Sequence, residues 1–119
     1  MITLNTLPEA TEQEVFNQVY THLMSQMAKS EDDIGCVYRG PNGTKCAAGC
    51  LIADDEYDEM PSYHNTTCWS ELVRSKTVSD NCRVLIIALQ AVHDQFPPEK
   101  WADTLNKVAM DFNLEVPKG

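Results

Sequence analysis

The segment Val84-Leu85-Ile86-Ile87-Ala88-Leu89, followed after Gln90 by Ala91 and Val92, constrains this chain more than any other stretch. Apolar residues fall almost all the way round a helix drawn through it, and a helix without a polar face belongs in a core. The spacing predicts a central buried helix, capped by Ser79 and running to about Phe96. Pro97-Pro98 ends it and starts the next, because proline at a first helical position lacks only an N–H that would have no partner there. Trp101, Leu105, Val108 and Phe112 then recur at i, i+4, i+7 and i+11, a single stripe that predicts a helix stopped by Asn113 or Pro117.

The N-terminal third carries a second strong signal. Thr11-Glu12-Gln13-Glu14 is a capping box, in which the Thr11 hydroxyl accepts from the Glu14 amide and the Glu14 carboxylate reaches back. Behind it Phe16, Val19, Tyr20, Leu23 and Met27 keep helical spacing and predict a helix over about 11–29. Cys68, Trp69, Leu72 and Val73 suggest a short helix capped by Asn65, Thr66 or Thr67. Residues 1–10 and 113–119 read as loosely ordered ends.

Between these helices the pattern changes. Cys36-Val37-Tyr38-Arg39 reads as a strand, Gly40-Pro41-Asn42-Gly43 as a turn and Thr44-Lys45-Cys46-Ala47 as the returning strand, so a short antiparallel β-hairpin is expected at about 36–47. A three-residue turn with a bulge would set Tyr38 opposite Cys46 with Cys36 on their face, whereas a two-residue loop would put Cys36 and Cys46 on opposite faces. The small residues Ala48-Gly49 permit close packing, and 48–60 admits strand, helix or loop. The expected fold class is therefore α+β and predominantly helical, about four helices packed around or beside one hairpin. With 119 residues, 43% of them hydrophobic, the chain suits one domain over 1–119.

The stretch Cys36-x-Tyr38-Arg39-Gly40-x-x-Gly43-x-Lys45-Cys46-Ala47-x-Gly49-Cys50-Leu51-Ile52-x-Asp54 resembles a motif of small tailed-bacteriophage proteins with no assigned activity. The resemblance covers roughly 25 residues, with weaker likeness in the flanking helices. It implies a protein acting in the cytoplasm of an infected bacterium, and it implies no mechanism.

Charge narrows the function classes. The formal net charge is −9, which argues against nucleic acid and against an anionic membrane, since both require a basic face. It suits a basic protein partner. The first residues lack both the cations and the apolar run of a secretory signal, and five cysteines do not pair evenly, so a reduced cytoplasmic setting is expected. Within 31–60, eight acids face only Arg39 and Lys45 and supply six of the nine net charges. The acidic segment reads as a solvated face or as a docking surface with Arg39, Lys45, Asp54, Asp55, Glu56 and Asp58 as its contact residues. Arg39 and Lys45, two cations amid eight acids, are also expected to pair internally, Arg39 with Asp54 or Glu56.

Two chemistries compete with a docking role. Cys36, Cys46, Cys50, His64 and Cys68 are zinc-ligand types, although no C-x2-C pair is present. Lys45 beside Cys46 makes a lowered thiol pKa conceivable, with His64 or His93 as the base a nucleophile would need. No phosphate-binding, hydrolase or metalloprotease signature occurs. The expectation is a small acidic interaction protein without catalytic residues or cofactor, with a zinc- or thiol-dependent protein as the alternative and a homo-oligomer as a third possibility.

Overall fold

The computed structural model describes residues 1–33, 35–61 and 65–117. The capping box forms: the Thr11 hydroxyl accepts from the Glu14 amide at 3.1 Å, and the Glu14 carboxylate accepts from the Thr11 amide at 2.9 Å. It starts α1, Glu12–Gln26, which stops short of the expected end because Met27 turns left-handed at φ 48°. Val15, Phe16, Val19 and Leu23 make its buried face. Two short helices follow, α2 over Asp54–Glu59 and α3 over Trp69–Arg74. The C-terminal pair is α4, Arg83–Gln95, and α5, Trp101–Asp111. α4 packs against α1, α3 and α5, and α1 also touches α5. The buried residues form one cluster running from Leu7 to Ala109. Each large apolar side chain fully buried there contributes about 1.5–3 kcal/mol relative to exposure.

Two expectations for α4 need correction. Its start lies at Arg83, after Cys82 in a left-handed conformation at φ 59°. Ser79 instead accepts a hydrogen bond from the Asn81 amide, 3.2 Å away. Nor is the helix buried all round: Leu85, Ile86, Leu89 and Val92 face the core, while Val84 is 60% and Ile87 37% exposed. Packing partners cover one side of α4, and apolar composition alone did not say which.

The β-hairpin does not form, and the fold is mostly α rather than α+β. Among the described residues there are only isolated antiparallel pairings, Glu31 with Cys36 and Arg39 with Lys45. The turn is present, with Asn42 and Gly43 both at positive φ, and the Arg39–Lys45 pairing has the register that sets Tyr38 opposite Cys46. What fails is the ladder, because its donors are drawn elsewhere. The Val37 amide donates to the Ser30 carbonyl and the Tyr38 amide to the Asn65 carbonyl. The Lys45 amide donates to the Gln26 side chain at 2.9 Å. The described residues of 28–53 thus make an irregular arm held by groups outside any strand pair. Ala48-Gly49 lets it lie close: a Cβ on Gly49 would stand 2.3 Å from the Tyr38 carbonyl oxygen. Residues 49–51 make a single 3-10 turn there.

The lead-in read as loose is tied down. Leu7 is fully buried, Gln18 exchanges hydrogen bonds with the Ile2 backbone, and the Asn81 amide group donates to the Leu7 and Ala10 carbonyls. At the other end Gln13 exchanges hydrogen bonds with the Glu115 backbone. Among the described residues no helix is long and apolar enough to cross a membrane.

Candidate functional site

Two features stand out on this scaffold, a cavity against α4 and the acidic helix α2. The cavity, about 270 Å3, lies between the arm, α3 and the outward side of α4. Helical spacing brings Ile87, Gln90, Ala91 and Asp94 to one wall. Trp69 and Cys68 come from the start of α3, and Cys36, Tyr38 and Cys46 come from the arm. Tyr38 is 4% exposed and its hydroxyl donates to the Thr67 carbonyl. Trp69 is buried, and its indole N–H has no acceptor among the described residues.

Below the cavity His93 is completely buried and held from both sides. The Ser30 amide donates to His93 Nε2 at 2.9 Å. That lone pair is therefore in use, the ring proton sits on Nδ1, and Nδ1 donates to Asp94 Oδ1 at 2.8 Å. Gln90 Nε2 donates to the same oxygen at 2.8 Å. Burial raises the Asp94 carboxyl, yet the hydrogen bonds from His93, Cys36 and Gln90 outweigh it and hold the group below the usual aspartate value. Asp94 is ionised at neutral pH. Lys29 reaches only its backbone carbonyl, at 3.1 Å.

Cys36, His93 and Asp94 are the one set of three metal-ligand types that converge among the described residues. The polarity of the hydrogen bonds does not fit a metal. Nδ1 carries the proton, and moving it to Nε2 would set two donors against each other at Ser30. The set is a satisfied relay, Ser30 to His93 to Asp94, that fixes the arm on α4.

Of the sequence-predicted ligands, Cys36, Cys46 and Cys68 line the cavity, while Cys50 faces a groove beside α1. Cys46, Cys50 and Cys68 do not join the converging set, and His64 lies outside the described residues. The Cys36, Cys46 and Cys50 thiols are not activated. Burial, then hydrogen bonding and charge from Asp94, push Cys36 up to about 12. Burial pushes Cys46 to about 12 and raises Cys50 as well. These are protonated side chains, the reverse of what a nucleophile needs.

The acidic segment is divided between internal and outward roles. Arg39 pairs with Asp54, donates to the Ile52 carbonyl at 2.6 Å, and lies 4.9 Å above the Tyr57 ring centre. Lys45 approaches Asp54 at 3.8 Å. Glu56 turns inward and accepts from the amides of Ala53, Leu4 and Asn5, each at 2.9 Å. Burial raises Glu56, and those amides more than reverse it. Arg39, Lys45, Asp54 and Glu56 therefore hold α2 in place. Asp55, Asp58 and the neighbouring Glu59 are exposed and form no salt bridge among the described residues.

Sequence reasoning passed over Asp94, Gln90 and Trp69 as site residues. One signal was available: His93 stands four residues after Leu89, on the core side of α4, where a ring needs two buried partners. No protein-family model, curated protein or solved structure matches the chain.

Proposed function

We propose that the chain is a small acidic interaction protein that docks a basic face of a protein partner through α2. The observation that carries this reading is the split of acids on that helix. Asp54 and Glu56 fix it to the arm and to the lead-in, so Asp55, Asp58 and Glu59 are presented on a rigid mount rather than on a solvated loop. Pre-positioned charge of one sign speeds association and excludes wrong partners more than it adds affinity. The motif resemblance supplies the setting, a phage-encoded protein in the cytoplasm of an infected bacterium.

Asp54 and Glu56 hold the fold, so the outward acids are the ones to neutralise. Asp55→Asn, Asp58→Asn and Glu59→Gln together leave melting unchanged. In affinity capture from bacterial extract, a partner retained by the wild-type chain and released by this variant, with retention falling as salt rises, supports the reading. A partner held with the same affinity by both overturns it.

A further inference from the structure

The cavity against α4 has a composition unlike that of the rest of the surface. Its polar lining is made of amides, hydroxyls and thiols; among the described residues its only charged side chain is Asp94, and no Lys, Arg or His lines it. Its apolar walls are the Trp69 and Tyr38 rings on one side and Ile87 with Ala91 on the other. Ile87 is partly exposed, and Val84 one turn earlier continues the apolar edge outward. A carboxylate kept ionised by three donors, at the end of an apolar slot with two aromatic walls, is the chemistry that receives a cation on an apolar stem. The Cys36 and Cys46 thiols and the Tyr38 phenol are neutral there, since burial raises all three. They offer a cation no competing charge. The volume of about 270 Å3 lies at the small end for ligand cavities and admits a fragment rather than a nucleotide.

We propose that this cavity binds the end of an alkylamine or alkylguanidine, its cation on Asp94 and its stem between Trp69 and Ile87. The ligand is a free small amine or the side chain of a Lys or Arg in a peptide, which share this chemistry. The proposal does not depend on α2.

The test is a titration followed by the Trp69 indole N–H resonance, identified by its loss in Trp69→Phe, with calorimetry alongside. The probes are hexylamine, agmatine, a capped arginine amide and, as the neutral counterpart, hexanol. Saturable shifts are expected with the cations, with affinity for hexylamine about tenfold or more above that for hexanol. Asp94→Asn removes the charge and is expected to erase that difference. Because Asp94 also orients His93, Ala91→Met provides the second variant: it fills the cavity, leaves the carboxylate alone and is expected to abolish the shifts. Tighter binding of agmatine assigns the site to a free amine, and tighter binding of the capped arginine assigns it to a peptide side chain. No saturable shift with any cation, or hexanol binding as tightly as hexylamine, overturns the proposal.

Discussion

The helical scaffold and the arm over 28–53 lie against each other and are held by different forces. In α1, α4 and α5 the backbone satisfies itself, and stability rests on side chains such as Phe16, Leu89 and Trp101, none of which is exposed. In the arm the backbone depends on side chains borrowed from elsewhere. Gln26 serves the Lys45 amide, Gln90 the Ala48 amide and Glu56 the Ala53 amide. The Lys45 carbonyl is shared by His22 at 2.8 Å and Gln26 at 3.0 Å. The scaffold should therefore be sensitive to lost volume, and the arm to lost polar partners and to added bulk.

The largest effect is expected from Phe16→Ala, which empties a fully buried site and should cost about 3–5 kcal/mol in urea unfolding with an unchanged m value. A cost below that of the arm variants would break the contrast. Gly49→Ala comes next. Its Cβ meets the Tyr38 carbonyl at 2.3 Å, so the arm has to shift, at about 1–3 kcal/mol or more. Chemical-shift changes should centre on residues 36–50 and spare α5. Gln26→Ala removes the acceptor of the Lys45 amide and should cost about 1–3 kcal/mol, read in the same unfolding series.

Acid should separate the two regions. Burial holds His22 below its ordinary 6.5, so the folded chain keeps the neutral ring while the unfolded chain takes a proton. Its contribution is complete above about pH 6.5 and is lost as pH falls through the lower folded value. Asp54, held low by Arg39, and Glu56, held low by backbone amides, follow the same sign: their stabilisation is present above their ordinary values of 3.8 and 4.5 and is lost below. Protection against amide exchange, relative to the intrinsic rate at each pH, should fall in the arm before it falls in α5 as pH drops, and simultaneous loss in both would argue for one cooperative unit. The smallest effect belongs to the triple variant of Asp55, Asp58 and Glu59, expected within about 0.5 kcal/mol of wild type.

The helices were legible because their causes are local. The Thr11 box, the Trp101–Val108 stripe and the Pro97-Pro98 break each act within a few residues, and each lies where the spacing put it. The hairpin was misread because Val-Tyr-Arg and Thr-Lys-Cys around a good turn describe what those residues prefer, not where their amides find partners. Gln26, Ser30 and Asn65 outbid the ladder, and none is adjacent to the strand it disrupts. The acidic run was legible as charge only. That Glu56 points inward while Asp58 points out follows from the lead-in, fifty residues away in sequence, folding back onto α2.

By itself the sequence determined that the chain has an apolar helical core, a tight turn at 41–43 and a concentration of acids flanking two lone cations. These follow from side-chain periodicity, backbone preference and charge, which belong to each residue and its neighbours. Only the tertiary structure decided that α4 keeps an open apolar edge, that Cys36 and Cys46 share a cavity as neutral thiols, and that His93 donates to Asp94. Those depend on which distant groups come within hydrogen-bond reach or shut out water, and burial of that kind is a property of the packed chain.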